Sequence, residues 1–170
     1  MNEDFIIPLN GLPAGETKVS KHAGKEFFEA FENPEILNAD ISVDILLRKS
    51  GRRIDVDCCL KGSITVPCDR CLEDLTLPVD TTAQLRVQPE DEDGDEEGRE
   101  AIHADMTTST LDLSQAIYDY ACLSIPIQHV HPDGQCNPET VKYLHSEVSE
   151  EDHGDIEDNP FAKLKGLFDN

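Results

Sequence analysis

The sequence predicts an α+β fold: an antiparallel sheet or small partly open barrel, with a few packed helices and acidic disordered segments. Three observations lead there. Between Ile41 and Val87, apolar and polar residues alternate in successive runs, the period-two pattern of strands with one buried face. Turn-like breaks at Lys49-Ser50-Gly51-Arg52 and at Cys68-Asp69-Arg70-Cys71 separate some of these runs, as reversals between neighbouring strands do. Helical spacing and helix-start signals are confined to the stretch before Asn33-Pro34 and to the chain after Asp112.

Taken in order, Phe5-Ile6-Ile7-Pro8-Leu9 alternates weakly and reads as an edge strand, where proline is tolerated. From Ser20 to Phe31, polar residues lead into Phe27, Phe28 and Phe31. That spacing predicts a short helix packed on a sheet, ending near Asn33-Pro34 because proline disfavours the helical conformation in the residue before it. Ile41, Val43, Ile45 and Leu47 mark the next strand, and Ile54, Val56, Cys58 and Leu60 its hairpin partner. Gly62 is read as a break in that run before Ile64 and Val66 resume it. Leu75, Leu77 and Val79 begin another strand, and Leu85 and Val87 a further one.

Asp112 is a candidate N-cap with Gln115 completing a capping box, ahead of a helix with Leu113, Ala116, Ile117 and Tyr120 on one face. That helix must stop before Pro126. Asn137-Pro138 starts another, carrying Val141, Leu144 and Val148, and Asn159-Pro160 repeats the signal. The resulting organisation is one α+β domain over residues 1–146, an acidic linker over 147–158 and a C-terminal amphipathic helix over 159–170.

Charge limits the partners. The net charge is −22, concentrated in Glu90–Glu100, with eight acids and one Arg, and in Glu147–Asp158, with seven acids and no Lys or Arg. Residues 90–100 lack apolar anchors and are expected to form a mobile loop. Outside these stretches 21 acids still face 13 bases, so phosphate is repelled at long range, unlike in a protein that grips RNA through a basic surface. The chain has no apolar run of membrane-spanning length, and Met1-Asn2-Glu3-Asp4 does not open a secretory signal. A soluble cytoplasmic protein with no membrane partner is expected, and in that compartment its six cysteines stay reduced.

Cys68-Asp69-Arg70-Cys71 is half of a zinc site by spacing, because two thiolates two residues apart can close around one ion. The other half could come from His129-Val130-His131 and Cys136, with one His and Cys136 completing a tetrahedral set. Inert turn thiols and thiol redox chemistry are the alternatives, although the strand-then-helix context of a redox pair is missing. Cys58 is expected to pack in the core, Cys59 to lie on the other face of its strand, and Cys122 to act as a small apolar group at a helix end. His22, His103, His145 and His153 have no partners at ligand spacing and are expected to be solvated.

No nucleophile elbow, phosphate-binding glycine loop or HExxH pattern is present, so the protein is expected not to be an enzyme. Two features suit partners. Arg52 and Arg53 lie at the densest knot of positive charge and could touch RNA locally. Phe161, Leu164 and Phe168 share one face of the C-terminal helix, which would dock either on its own domain or in a partner's groove.

Five pieces occur in a recognisable order: Pro67-Cys68-Asp69-Arg70-Cys71, Leu111-Asp112-Leu113, Leu123-Ser124-Ile125-Pro126, His131 with Cys136, and Asn159-Pro160-Phe161-Ala162. In that order and spacing the chain resembles the YceD-like family of large-subunit ribosomal RNA accumulation proteins. The resemblance implies a ribosome-biogenesis role in accumulation or processing of large-subunit (23S) ribosomal RNA, with a gene commonly beside that of a large-subunit ribosomal protein. It implies a non-enzymatic factor with a ribosomal-protein or precursor-particle partner, and RNA contacted directly or indirectly. A direct RNA-binding module and a metal-dependent RNA-processing hydrolase are the alternatives. The family pattern often has cysteine where His131 stands and another near Cys136. Since Cys and His exchange as zinc ligands, it implies a structural zinc on Cys68, Cys71, His131 and Cys136, with His129 in reserve.

Overall fold

The computed structural model describes residues 5–51, 53–88, 98–104 and 109–144. Expectations for Arg52, most of the acidic loop, His145, His153, Val148, the 147–158 linker and the 159–170 helix lie outside them. The chain divides into two compact units, one ending at Cys136 and one beginning at Asn137.

The first unit is α+β and mostly sheet. Its strands are β1 (Ile6–Pro8), β2 (Gly15–Gly24), β3 (Asn38–Ser50), β4 (Arg53–Pro67), β5 (Asp74–Gln88), β6 (Glu100–His103) and β7 (Thr110–Asp112), with helices α1 (Lys25–Glu29) and α2 (Ser114–Leu123). Five strands form one sheet in the order β2-β3-β4-β5-β6, and β1 pairs with β7 in a separate two-stranded ribbon. The sheet is open: β2 and β6 are its edges among the described residues, so the barrel alternative is not adopted.

The two long hairpins follow from the apolar alternation. Ile45 stands opposite Cys58 and Leu47 opposite Val56, and on the far side Cys58 faces Ala83 and Val56 faces Leu85. Residues 41, 43, 45 and 47 of β3 and 54, 56, 58, 60, 64 and 66 of β4 are buried. α1, α2 and the β1–β7 ribbon supply Phe27, Phe28, Ile117, Ala121, Phe5 and Leu111 to the same core. Aromatic packing makes up for the absence of Trp: Phe27 meets Phe5, Phe28 and Phe31 edge-on at centroid separations of 4.9–5.3 Å. Phe31 stacks on Tyr118 at 4.1 Å, and Asn33 Nδ2 donates to Tyr118 Oη at 2.9 Å.

Several sequence expectations are corrected. The helix expected to open at Ser20 begins only at Lys25, because residues 15–24 are a full edge strand. Of that strand only Ala23 is buried and Thr17 and Val19 are half-buried, with Lys21 breaking the apolar face, so its alternation is weak. Gly62 does not interrupt β4. It sits where β3 and β4 come too close for a side chain: a Cβ there would collide with the carbonyl oxygen of Asp40 and the backbone of Ile41.

The two runs from Leu75 to Val87 are one strand, and Pro78 is accommodated where β5 has no neighbour on its β6 side among the described residues, since β6 pairs only with Leu85–Gln88. The β5–β6 pairing is also parallel, the one non-antiparallel pairing among the described strands. Glu100, expected in the acidic loop, is the first residue of β6.

The capping box at Asp112 does not form. Leu113 occupies the cap position, and the Asp112 carboxylate instead accepts the N–H of Ser114 at 2.8 Å. Gln115 reaches forward to Asp119. His22 has an exposed cross-strand partner, with Nε2 2.8 Å from Asp40 Oδ1.

In the second unit, α3 (Pro138–Leu144) starts as expected. Asn137 Oδ1 accepts from the N–H of Glu139 at 2.9 Å, and the Asn137 carbonyl accepts from those of Thr140 and Val141.

Candidate metal centre

The turn between β4 and β5 is tight enough to aim two sulfurs at one point. Cys68 N–H donates to the Glu73 carbonyl at 2.8 Å, Leu72 N–H donates to the Cys68 carbonyl at 2.9 Å, and Arg70 N–H points at Cys68 Sγ at 3.4 Å. Leu72 holds a left-handed conformation, φ 62°, which completes the reversal at a cost that glycine would avoid. The segment after α2 crosses this turn, and Pro132 and Gln135 close a second small turn through a 3.0 Å bond.

Together the two segments gather Cys68, Cys71, His131 and Cys136, whose ligand atoms all lie within 4.8 Å of one another. Cys68 Sγ is 3.9 Å from Cys136 Sγ, and His131 Nδ1 is 3.4 Å from Cys71 Sγ and 4.0 Å from Cys136 Sγ. The thiols are free, since a disulfide needs about 2.05 Å between sulfurs. His131 Nε2 donates to the Asp74 carbonyl at 3.2 Å, which leaves the Nδ1 lone pair for the sulfurs. Around the cluster Leu75, Leu77 and Val130 form a small apolar shell, with Leu77 also packed against the main core.

The electrostatics favour a thiolate at Cys68. Burial pushes the Cys68 thiol up, but backbone N–H groups of Cys71, Arg70 and His131 outweigh it and bring the thiol down to about 6. The nearby Cys68 sulfur raises the His131 imidazole against the opposing effect of desolvation. Cys136 is raised, first by burial and then by the Cys71 and Cys68 sulfurs. Three sulfurs and one imidazole facing a common point can hold a soft or borderline metal ion.

Other expected residues fall elsewhere. His129 does not turn toward the cluster: its Nδ1 is 3.1 Å from the Pro126 carbonyl and its Nε2 is 3.3 Å from Asp69 Oδ1. Cys58 is fully buried in the core, where desolvation and the neighbouring Asp57 charge push its thiol up to about 12. Cys59 is partly exposed on the other face of β4, and Cys122 is half-buried against the core.

Arg53 is paired with Asp55 at 3.1 Å, and it belongs to a ladder that the sequence reading missed. Arg86 meets Asp55 at 2.9 Å, while Arg48 and Arg99 meet Asp57 at 2.5 and 2.7 Å. Asp55 stands opposite Arg48 on β3 and Arg86 on β5, so opposed charges in adjacent strands were its only sequence signal. Burial raises the Asp55 carboxyl, but hydrogen bonds and charge from Arg86 and Arg53 more than offset this and hold it below its ordinary value.

An open α+β domain in which Arg48, Arg53, Arg86 and Arg99 pair with Asp55 or Asp57, and whose β4–β5 turn meets a distant loop at three cysteines and a histidine, is the class of protein these features define. Within that class, the chain belongs to the YceD family: the profile described as large ribosomal RNA subunit accumulation protein YceD matches residues 56–168. The match takes in the whole Cys/His cluster and begins inside β4. No curated protein and no solved structure gave a match. None of the described helices is long and apolar enough to cross a membrane.

Proposed function

We propose that the protein is a non-enzymatic cytoplasmic assembly factor, acting in accumulation or processing of large-subunit ribosomal RNA through a large-subunit ribosomal protein or the precursor particle. The observation that carries this reading is the family match over residues 56–168. Charge favours a protein as the direct contact. A net charge of −22 opposes approach to bare phosphate, and Arg48, Arg53, Arg86 and Arg99 each face Asp55 or Asp57. A Lys/Arg-rich polypeptide meets neither obstacle. In the same reading Phe161, Leu164 and Phe168 dock the 159–170 segment into a partner's groove.

The cluster is proposed to hold a structural zinc ion on Cys68, Cys71, His131 and Cys136. Tetrahedral zinc, with bonds of about 2.3 Å to sulfur and about 2.0 Å to nitrogen, separates two sulfurs by about 3.8 Å and a sulfur from a nitrogen by about 3.5 Å. The 3.9 Å sulfur–sulfur and 3.4 Å sulfur–nitrogen separations match these figures, while the 4.0 Å between Cys136 Sγ and His131 Nδ1 is wider and would shorten on ligation. Four protein ligands close the set, whereas a metal-dependent hydrolase keeps a position open for water. The ion would cross-link the β4–β5 turn to the loop after α2.

Depletion of the protein in cells should lower mature large-subunit RNA relative to small-subunit RNA. The protein should also sediment with large-subunit precursors and keep a ribosomal-protein partner after RNA digestion. An unchanged RNA ratio, or a partner lost with the RNA, would overturn this reading. Elemental analysis of protein purified without added metal should give close to one zinc per chain, and less than about 0.2 would exclude the ion.

A further inference from the structure

Asp69 sits inside the Cys68–Cys71 pair without contributing to the cluster, and it is bound reciprocally to His129, two residues before His131. Asp69 N–H donates to the His129 carbonyl at 3.0 Å, and His129 N–H donates to Asp69 Oδ2 at 2.7 Å. The His129 ring adds its 3.3 Å approach to Asp69 Oδ1 and its 3.1 Å approach to the Pro126 carbonyl. None of these contacts uses an atom of Cys68, Cys71, His131 or Cys136.

We propose that Asp69 and His129 form a clasp that closes without metal and presets the spacing of the four ligands, so that Asp69 is the positioning residue of the centre. This rests on the reading of the cluster as a metal site. Cys71 and His131 are 60 residues apart in the chain, and the entropic cost of closing a loop rises with its length. The clasp absorbs that cost: it fixes a residue adjacent to Cys68 against one two positions from His131, so little chain is left to search when the ion arrives. The 2.7 Å bond from a backbone N–H to a carboxylate is of the charge-assisted kind, stronger than a neutral bond. The His131 ring is oriented separately by the Asp74 carbonyl, so the clasp sets position and the carbonyl sets the tautomer.

Zinc affinity of the full chain, measured by competition with a chromophoric chelator, tests the clasp. Asp69→Ala should bind about 10- to 100-fold more weakly, the usual loss when a group supporting the ligands is removed. Asp69→Asn, which keeps an oxygen to accept the His129 N–H but not the charge, should recover part of that loss. The cobalt-substituted spectrum should have the same shape in both, because the ligand set is intact, whereas Cys68→Ser should change it.

Amide exchange separates the clasp from the metal reading. After zinc is stripped, the Asp69 and His129 amides should stay protected while Gln135 speeds up, and Asp69→Ala should release all three. Unchanged zinc affinity in Asp69→Ala, or loss of His129 protection as soon as zinc is removed, would overturn the clasp. If the unaltered protein takes up no zinc, the metal reading fails, and the clasp then stands or falls on the exchange of Asp69 and His129.

Discussion

Cys68 and Cys58 are both fully buried, yet they have opposite chemistry because of what surrounds each sulfur. Cys58 has apolar neighbours and the Asp57 charge, which push its thiol to about 12. Cys68 has backbone N–H groups aimed at it and falls to about 6. A thiol lowered below its ordinary value of 9.0 adds stability that is fully present above that value and is lost as pH falls through about 6. In metal-free protein, ultraviolet thiolate absorbance should therefore show a step with a midpoint near 6 that disappears in Cys68→Ser. A first step only near the ordinary thiol value would contradict the arrangement of donors. With zinc bound, ligation holds the thiolate, and protons compete for it only at lower pH.

Among the elements, β4 carries most of the design. One face is the core stripe from Ile54 to Val66, and the other presents Asp55 and Asp57 to arginines from β3, β5 and the approach to β6. Arg86 is 7% exposed, and a cation so enclosed is tolerated only when paired. Removing it leaves Asp55 poorly solvated with Arg53 alone. Arg86→Met should therefore cost about 2 kcal/mol at neutral pH, read from urea midpoints. Asp55 is held below its ordinary 3.8, so its contribution is present above that value and fades as pH falls through the lower folded value. The deficit of Arg86→Met should shrink in acid. A deficit of the same size at both pH values would mean that lost packing of the arginine stem, and not the ion pair, is responsible.

At the scale of the whole molecule, the sheet and the Cys/His cluster are packed around different residues. The long antiparallel pairings β2–β3–β4–β5 provide a scaffold whose core lies on one side of the sheet, and the Cys/His end is packed in a cluster of its own. Partner capture in the proposed function falls to the 159–170 segment. Changing Phe161 and Leu164 to Ser should weaken binding of the ribosomal-protein partner while leaving the melting temperature of the sheet unchanged. A large fall in melting temperature would place those side chains on the protein's own domain instead.

The sequence alone determined the hairpin from Ile41 to Val66, since alternation with one buried face leaves a strand little choice of register. It also determined the helix after Asp112 and the one after Asn137, and it singled out Cys68, Cys71, Cys136 and one of His129 and His131 as the residues with ligand chemistry. Tertiary structure decided the rest, for reasons that are not local. β2 became a strand because β3 offered it a partner, although its own residues bury almost nothing. β6 ran parallel to β5 because the chain returned to the sheet's edge at Glu100. The choice of His131 over His129 was likewise made by neighbours. The Asp74 carbonyl turns one ring toward the sulfurs and the Asp69 carboxylate holds the other away, both across a sequence separation of about 60 residues that no pattern in the chain spans.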